Sequence, residues 1–306
     1  MPKNRRAIAF DFDGTLIQNG PLNLDKGVHI VFASWRACRQ TGFSPFVAGT
    51  AAMLVDKMVA AYIRYPGAPR FEQFSAIVNV LVNGTAKSVD AFEGLRLDES
   101  YRAEYRNARE IYNATYSALN DAAAGHFWRP YPSVKKFLEK ASGHFDLHIA
   151  SGVTQDILER DLRRHGFDSR CFVDIQGGNE AGGNDKGTIL AALRSGGDCE
   201  VLFVADSNRD LEYARQAGVK FFRIRSDEDF RRLAAFLPGV FPDERTSWDF
   251  EPFELDFLRL QSKNLVQRFA DADDLPFVEM SRLINTWQAD GNRSGSCSRS
   301  ARATLS

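Results

Sequence analysis

Between Trp128 and Pro238 short apolar runs alternate with stretches of helical spacing, and that alternation admits few folds. Strand-like runs fall at Phe145–Ala150, Cys171–Gln176, Val201–Ala205 and Lys220–Ile224. Helical patterns lie between and around them. One follows Ser133 as a candidate N-cap and ends at Gly143, one spans Gln155–His165 and closes at Gly166, one runs from Lys186 with Asp185 as cap, and Arg209–Ala217 stops at Gly218. Strands separated by single helices of this length form βαβ units and a parallel sheet, which needs helices on both faces. The run Ala7–Phe12 is most simply a further strand of the same sheet. The expected fold class is α/β, a three-layer α/β/α Rossmann-like core.

If the first strand belongs to that sheet, what separates it from the rest is an insertion. Residues 19–127 are mostly helical in pattern, as at Met53, Leu54, Met58 and Ala61, and again at Phe74, Ile77, Val78, Leu81 and Val82. The expected organisation is a core of 1–18 and 128–240, an inserted helical cap of 19–127 and a helical C-terminal extension of 241–290. The extension carries amphipathic patterns at Leu255–Phe269 and Phe277–Trp287. A Ser/Arg-rich tail, 291–306, has five serines, three arginines and almost no apolar side chains, and is expected to be disordered.

Composition excludes several functions. Lys+Arg 39 against Asp+Glu 40 leaves a net charge of −1, so no basic field is available to hold a nucleic acid. No run of 18 apolar residues exists, which argues against a membrane span. Met1–Arg6 is basic like the start of a signal peptide, but the apolar run Ala7–Phe10 meets Asp11 and is too short for one. Cys38, Cys171, Cys199 and Cys297 have no metal-like spacing. A cytoplasmic location is therefore expected. The five histidines form no spaced pair and are expected to be structural.

In open α/β sheets the chemistry sits beyond the carboxyl ends of the strands. Those ends carry Asp11, Asp13 and Thr15 after the first strand, Ser151 and Gly152 after the second, and Asp206, Ser207 and Asp210 after the fourth. Lys186 opens a helix near the third. Four carboxylates cannot share a small pocket uncompensated, because each raises the others' pKa. A divalent cation and one lysine supply three positive charges, and the fourth carboxyl can then stay protonated as the acid a leaving group needs. Hard oxygen ligands favour Mg²⁺. The charge arithmetic favours metal-assisted phosphoryl transfer.

These residues carry a resemblance. Asp11-Phe-Asp-Gly-Thr15 resembles the first motif of the haloacid dehalogenase superfamily, whose members are mostly Mg²⁺-dependent phosphatases. His148-Ile-Ala-Ser-Gly152 resembles the second motif, Lys186 the third, and Ala205-Asp-Ser-Asn-Arg-Asp210 the fourth. The resemblance covers about Arg6 to Arg225 and includes a cap between the first two motifs. It implies that Asp11 is the nucleophile and that Asp13 is the acid and base. It also implies that Asp11, Asp206 and the Asp13 backbone carbonyl hold Mg²⁺, with Asp210 orienting its water shell. Ser151 and the Gly152 amide would bind phosphoryl oxygens, Lys186 would neutralise charge, and Thr15 would help to position Asp13 at the phosphate site. Where the fourth motif commonly has Gly before its first Asp, this chain has Ala205.

The implied activity is hydrolysis of a small phosphorylated metabolite under a closing cap. Alternatives on the same fold are a phosphomutase, a phosphonate hydrolase or a non-catalytic phosphate-binding protein. Dehalogenation needs no acid such as Asp13. A phosphorylatable receiver domain places its metal-binding acids after the first strand and its phosphorylated Asp later, without Asp-x-Asp-Gly-Thr. In the cap, Arg70 follows the loop Tyr65–Pro69 and is a candidate specificity residue, although a plain surface loop accounts for the segment slightly better. The oligomeric state is not encoded in any motif found.

Overall fold

Strands form close to where the alternation places them. The computed structural model describes residues 6–20, 22–43, 51–64, 70–83, 99–178, 186–195, 200–269 and 272–286. Its strands in chain order are β1 (Arg6–Phe10), β2 (Ile17–Gln18), β3 (Arg129–Pro130), β4 (Asp146–Thr154), β5 (Asp174–Gly178), β6 (Glu200–Ala205) and β7 (Lys220–Arg223). Five of them make a parallel sheet in the order β5-β4-β1-β6-β7. β1 takes the centre because both its faces are apolar: Ala7, Ile8, Ala9 and Phe10 are each at most 2% exposed.

Helices cover both faces. Ala7 and Ala9 share a cluster with Phe203, Ile189, Leu190, Leu211 and Ala214, the last four from helices Lys186–Ser195 and Asn208–Ala217. On the other face the Phe10 ring lies 6.1 Å from Phe137, and Phe137 lies 5.6 Å from Phe230. Those partners belong to helices Val134–Ser142 and Asp227–Phe236. The three-layer α/β/α arrangement follows.

Local chemistry moves some boundaries. β5 starts at Asp174 rather than near Cys171, because the Asp168 carboxylate accepts the Arg170 N–H at 3.0 Å and holds Ser169–Cys171 as a 3₁₀ turn. Ser133 stands at the N-cap position without capping its own helix. Its N–H and its hydroxyl both donate to Asp227, each at 2.7 Å, which ties two helices of one layer together. Asp185, the expected cap of the Lys186 helix, lies outside the described residues.

The chain divides into two compact units. Among the described residues one comprises 6–18 and 129–249, and the other comprises 19–64, 70–128 and 250–286. Within the first, β2 and β3 pair antiparallel with Gln18 opposite Arg129, so the insertion leaves and returns at one place. Residues 241–251 are not helical, and the C-terminal extension becomes helical only at Pro252. The tail 291–306 and the loop Tyr65–Pro69 lie outside the described residues.

The second unit is helical: Asp25–Arg39, Ala51–Tyr62, Arg70–Asn83, Glu99–His126, Pro252–Phe269 and 277–286. One core joins Val28, Phe32, Met58, Phe74 and Tyr112 of the insertion to Phe257, Leu258, Leu265, Met280 and Ile284 of the extension. Arg36 donates to the Ala272 and Asp273 carbonyls at 2.8 and 3.2 Å, and Lys263 donates to Asp56 at 2.9 Å. Among the described residues no helix is long and apolar enough to cross a membrane.

A buried carboxyl stands in this apolar setting. Asp25 Oδ2 accepts from Trp128 Nε1 at 3.1 Å and from Asn285 Nδ2 at 3.2 Å, while Oδ1 has no hydrogen-bond partner among the described residues. Gly20, at φ +75°, packs against it so closely that a Cβ there would stand 2.0 Å from Oδ1. Burial pushes the Asp25 carboxyl up from 3.8 to about 7, with the Trp128 and Asn285 hydrogen bonds pulling the other way. Because the folded pKa is raised, this contribution to stability is fully present below pH 3.8 and is lost as pH rises through about 7. The three-unit difference corresponds to roughly 4 kcal/mol. Asp25→Asn should therefore raise the thermal midpoint at pH 8 by several degrees and change it little at pH 4. A midpoint difference between the two proteins that does not vary with pH would contradict this account of Asp25.

Candidate active site

The sheet register brings separated residues to one edge. Phe10 of β1 pairs with Ile149 of β4 and Val204 of β6, so Asp11 stands level with Ala150 and Ala205. Ser151 and Asp206 follow one residue further on. The Asp11 N–H still donates to the Val204 carbonyl at 2.9 Å, after which the chain turns. The N–H groups of Leu16 and Ile17 return to the Phe12 carbonyl at 2.9 and 3.1 Å. Gly14 sits in this turn at φ +77°, and a Cβ on it would lie 2.2 Å from Asp206 Oδ2. Only glycine meets both demands.

Three carboxylates converge. Ligand oxygens of Asp11, Asp206 and Asp210 lie within 4.8 Å of one another. Lys186 Nζ stands 2.9 Å from Asp11 Oδ1 and 2.7 Å from Asp210 Oδ1. The Asp13 side chain is not part of this trio, although its backbone bridges to Ile17 in the same turn. Structure thus separates two acids that the sequence places two residues apart.

Ser151 and Gly152, expected just past the second strand, lie within β4, which continues to Thr154 with a register irregularity after Ala150. Ser151 is buried and its Oγ accepts from the Val153 N–H at 3.3 Å. That leaves the hydroxyl proton to donate elsewhere. Gly152 is exposed, and among the described residues a Cβ there would meet Lys186 Cε alone, at 3.8 Å. Thr15 Oγ1 is buried and has no hydrogen-bond partner among the described residues, so no bond to Asp13 is seen. Arg70 begins its helix, but its side chain lies outside the described residues. Ala205 is buried and belongs to the apolar cluster of Ala7, Ala9 and Phe203.

The sequence reading assigned no role to Ser207, which fixes the third carboxylate. Ser207 caps helix Asn208–Ala217 by accepting the Asp210 N–H at 3.1 Å, and its hydroxyl donates to Asp210 Oδ2 at 2.5 Å. A Ser three residues before an acid at a helix start signals this capping arrangement. Both Asp210 oxygens are then engaged, one by Ser207 and one by Lys186, which suits it to orienting rather than direct ligation. Arg223 was likewise missed. It donates to the Asp206 carbonyl at 3.2 Å from a strand that no motif marks.

Burial first, and neighbouring charge after it, shifts the ionisation of these groups. Burial raises Asp11 from 3.8 to about 7; Lys186 opposes that shift, and Asp210 and Asp13 add to it. Asp206 is raised well above its ordinary value by burial first, then by Asp11 and Asp210. Burial alone would lower Lys186, but Asp11 and Asp210 outweigh it and hold the ammonium charged. Three acids against one ammonium leave two negative charges uncompensated. The donor set fits a divalent cation, since it consists of hard carboxylate oxygens only.

A family model described as haloacid dehalogenase-like hydrolase matches residues 5–218. Among solved structures the chain is similar to a haloacid dehalogenase-like family hydrolase from Streptococcus pneumoniae, at 18% identity over 75% of this chain and 90% of that one, with a TM-score of 0.45. It is also similar to a predicted phosphoglycolate phosphatase from Haemophilus somnus, at 19% identity over 72% of this chain and 85% of that one, again with a TM-score of 0.45. No curated protein matches the chain.

Gly14 supplies a test of the geometry. Gly14→Ala should push Asp206 off its position and weaken divalent-cation binding by at least roughly tenfold, at a backbone cost of about 1 kcal/mol from the positive φ. Titration of the substrate-free variant with Mg²⁺ measures it. Wild-type affinity in a folded variant would mean that Asp206 need not stand where it does.

Proposed function

The chain belongs to the haloacid dehalogenase-like hydrolases, and we propose that it is a Mg²⁺-dependent phosphatase hydrolysing small phosphomonoesters through an aspartyl phosphate on Asp11. The observation that supports this reading is the trio of Asp11, Asp206 and Asp210 around Lys186, with the Asp13 carboxyl left outside it. A nucleophile needs charge compensation at its own oxygen, which Lys186 supplies to Asp11.

In the first step an Asp11 carboxylate oxygen attacks phosphorus and the bond from phosphorus to the ester oxygen breaks. The departing oxygen takes the proton of the Asp13 carboxylic acid and leaves as an alcohol. In the second step the Asp13 carboxylate takes a proton from water as the water oxygen attacks phosphorus. The bond to Asp11 breaks, inorganic phosphate leaves, and both aspartates return to their starting states. The Ser151 hydroxyl and the Gly152 N–H donate to phosphoryl oxygens, and the Lys186 ammonium offsets charge on Asp11 and the phosphoryl group. Asp11, Asp206 and the Asp13 backbone carbonyl would hold Mg²⁺, with Asp210 orienting its water shell, and the bound ion would supply further neutralisation of the phosphoryl oxygens.

Turnover of an aryl phosphate with and without Mg²⁺ tests the activity, and a panel of small phosphorylated metabolites tests the substrate class. Asp11→Asn should lose about 10³-fold or more, since the amide is a poor nucleophile. Near wild-type turnover by that variant would exclude the covalent route.

Asp13→Asn should behave differently. It should retain most of its Mg²⁺ affinity and lose more activity on alkyl phosphates, whose leaving groups need a proton, than on activated aryl phosphates. The aspartyl phosphate should persist longer in that variant, as rapid quench and intact mass would show. Loss of Mg²⁺ binding in Asp13→Asn with retention in Asp206→Asn would reverse the assignment of the two acids.

A further inference from the structure

Beyond residue 218, where the family match ends, the chain doubles back onto the loop that carries Asp206 and Asp210. Residues 241–249 run along β7, the edge strand of the sheet. The Glu244 N–H donates to the Phe221 carbonyl at 2.7 Å. The carboxylates of Asp243 and Glu244 accept the N–H groups of Phe221 and Arg223 at 3.2 and 3.1 Å. This strap fills hydrogen-bonding positions of the edge without being a strand.

At its far end the strap meets the site loop. The Asn208 amide oxygen accepts the Trp248 N–H at 2.8 Å, and its Nδ2 donates to the Trp248 carbonyl. Arg225 lies over the Trp248 ring at 4.1 Å. Arg223 stands between strap and loop. Its Nη2 donates to Asn208 Oδ1 at 3.0 Å and to the Thr246 carbonyl at 3.4 Å, while its Nη1 donates to the Asp206 carbonyl at 3.2 Å. One planar guanidinium thus joins a metal-ligand residue, its loop neighbour and the strap, a reach that a single ammonium lacks.

We propose that Arg223, held by the 241–249 strap through Asn208, is a positioning residue that fixes the loop carrying Asp206 for divalent-cation binding. The inference rests on the functional reading above. Asp206 is crowded by Asp11 and Asp210, so with no tether on its backbone the loop relaxes away from them, and a cation must then pull the three acids together again. The tether supplies preorganisation, and its loss should appear as weaker cation affinity rather than as altered chemistry.

Manganese binding to the substrate-free protein, read from the loss of the free-ion paramagnetic resonance signal, tests this without relying on turnover, because carboxylate sites accept Mn²⁺ as they do Mg²⁺. Arg223→Met should weaken binding about fivefold or more. Arg223→Lys should recover only part of the loss, since it keeps the charge but reaches one acceptor at a time. Arg163→Met, a change of an exposed arginine on another helix, should match the wild type. Unchanged binding in a folded Arg223→Met protein, or full recovery with lysine, overturns the inference. If Arg223→Met does not fold, Asn208→Ala decides from the strap side: weakened binding supports the tether and unchanged binding overturns it. A wild type that binds no divalent cation overturns the functional reading itself, and this inference with it.

Discussion

Like charges crowded at the end of a central strand are the constraint around which the first unit is arranged. Asp11, Asp206 and Asp210 present oxygens within 4.8 Å of one another. At an effective dielectric near 20, each such pair costs roughly 4 kcal/mol when ionised, comparable with the whole stability of a domain. The arrangement persists because the backbone and Lys186 hold it. The parallel register sets Asp11 beside the β6 end, Gly14, lacking a side chain, leaves Asp206 its space, and Ser207 locks Asp210 from its helix cap. Each device acts on one acid and leaves an anionic cluster whose missing charge is that of a divalent ion.

The same economy runs through the C-terminal part of the chain. An exposed edge strand invites pairing with another chain, and here side-chain carboxylates and one backbone N–H of the strap occupy β7. The strap also carries contacts to Asn208 and, through Arg223, to Asp206. Edge protection and site geometry are therefore served by one segment. Further on, helices Pro252–Phe269 and 277–286 complete the core of the helical unit, although they lie beyond the residues matched by the family model. The insertion alone leaves the surfaces around Val28, Phe32 and Met58 short of partners that Phe257, Leu258 and Met280 provide.

Much of this was legible from residue order, because periodicity and strand-end chemistry are local. Alternating runs marked the sheet, β1 included, and Asp11, Asp206 and Lys186 could be picked out as residues just beyond strands or at a helix start, whereas Ser151 falls inside β4. A boundary slipped where a side chain competed with the backbone, as Asp168 does before β5. The extension's amphipathic pattern announced a buried face but not its partner, since an apolar stripe specifies only that something must cover it.

The sequence by itself determined the α/β class, the helical insertion and the set of acids, for these depend on spacings of two to four residues and on which side chains can carry charge. Tertiary structure alone decided that Asp11, Asp206 and Asp210 bring their oxygens within 4.8 Å of one another, that Lys186 bridges Asp11 and Asp210, and that the extension shares its core with the insertion. It also decided that Arg223 reaches Asp206. Those facts depend on parallel register and crossover packing between segments far apart in the chain. No local pattern encodes the distance between two side chains that meet only when the sheet closes around β1.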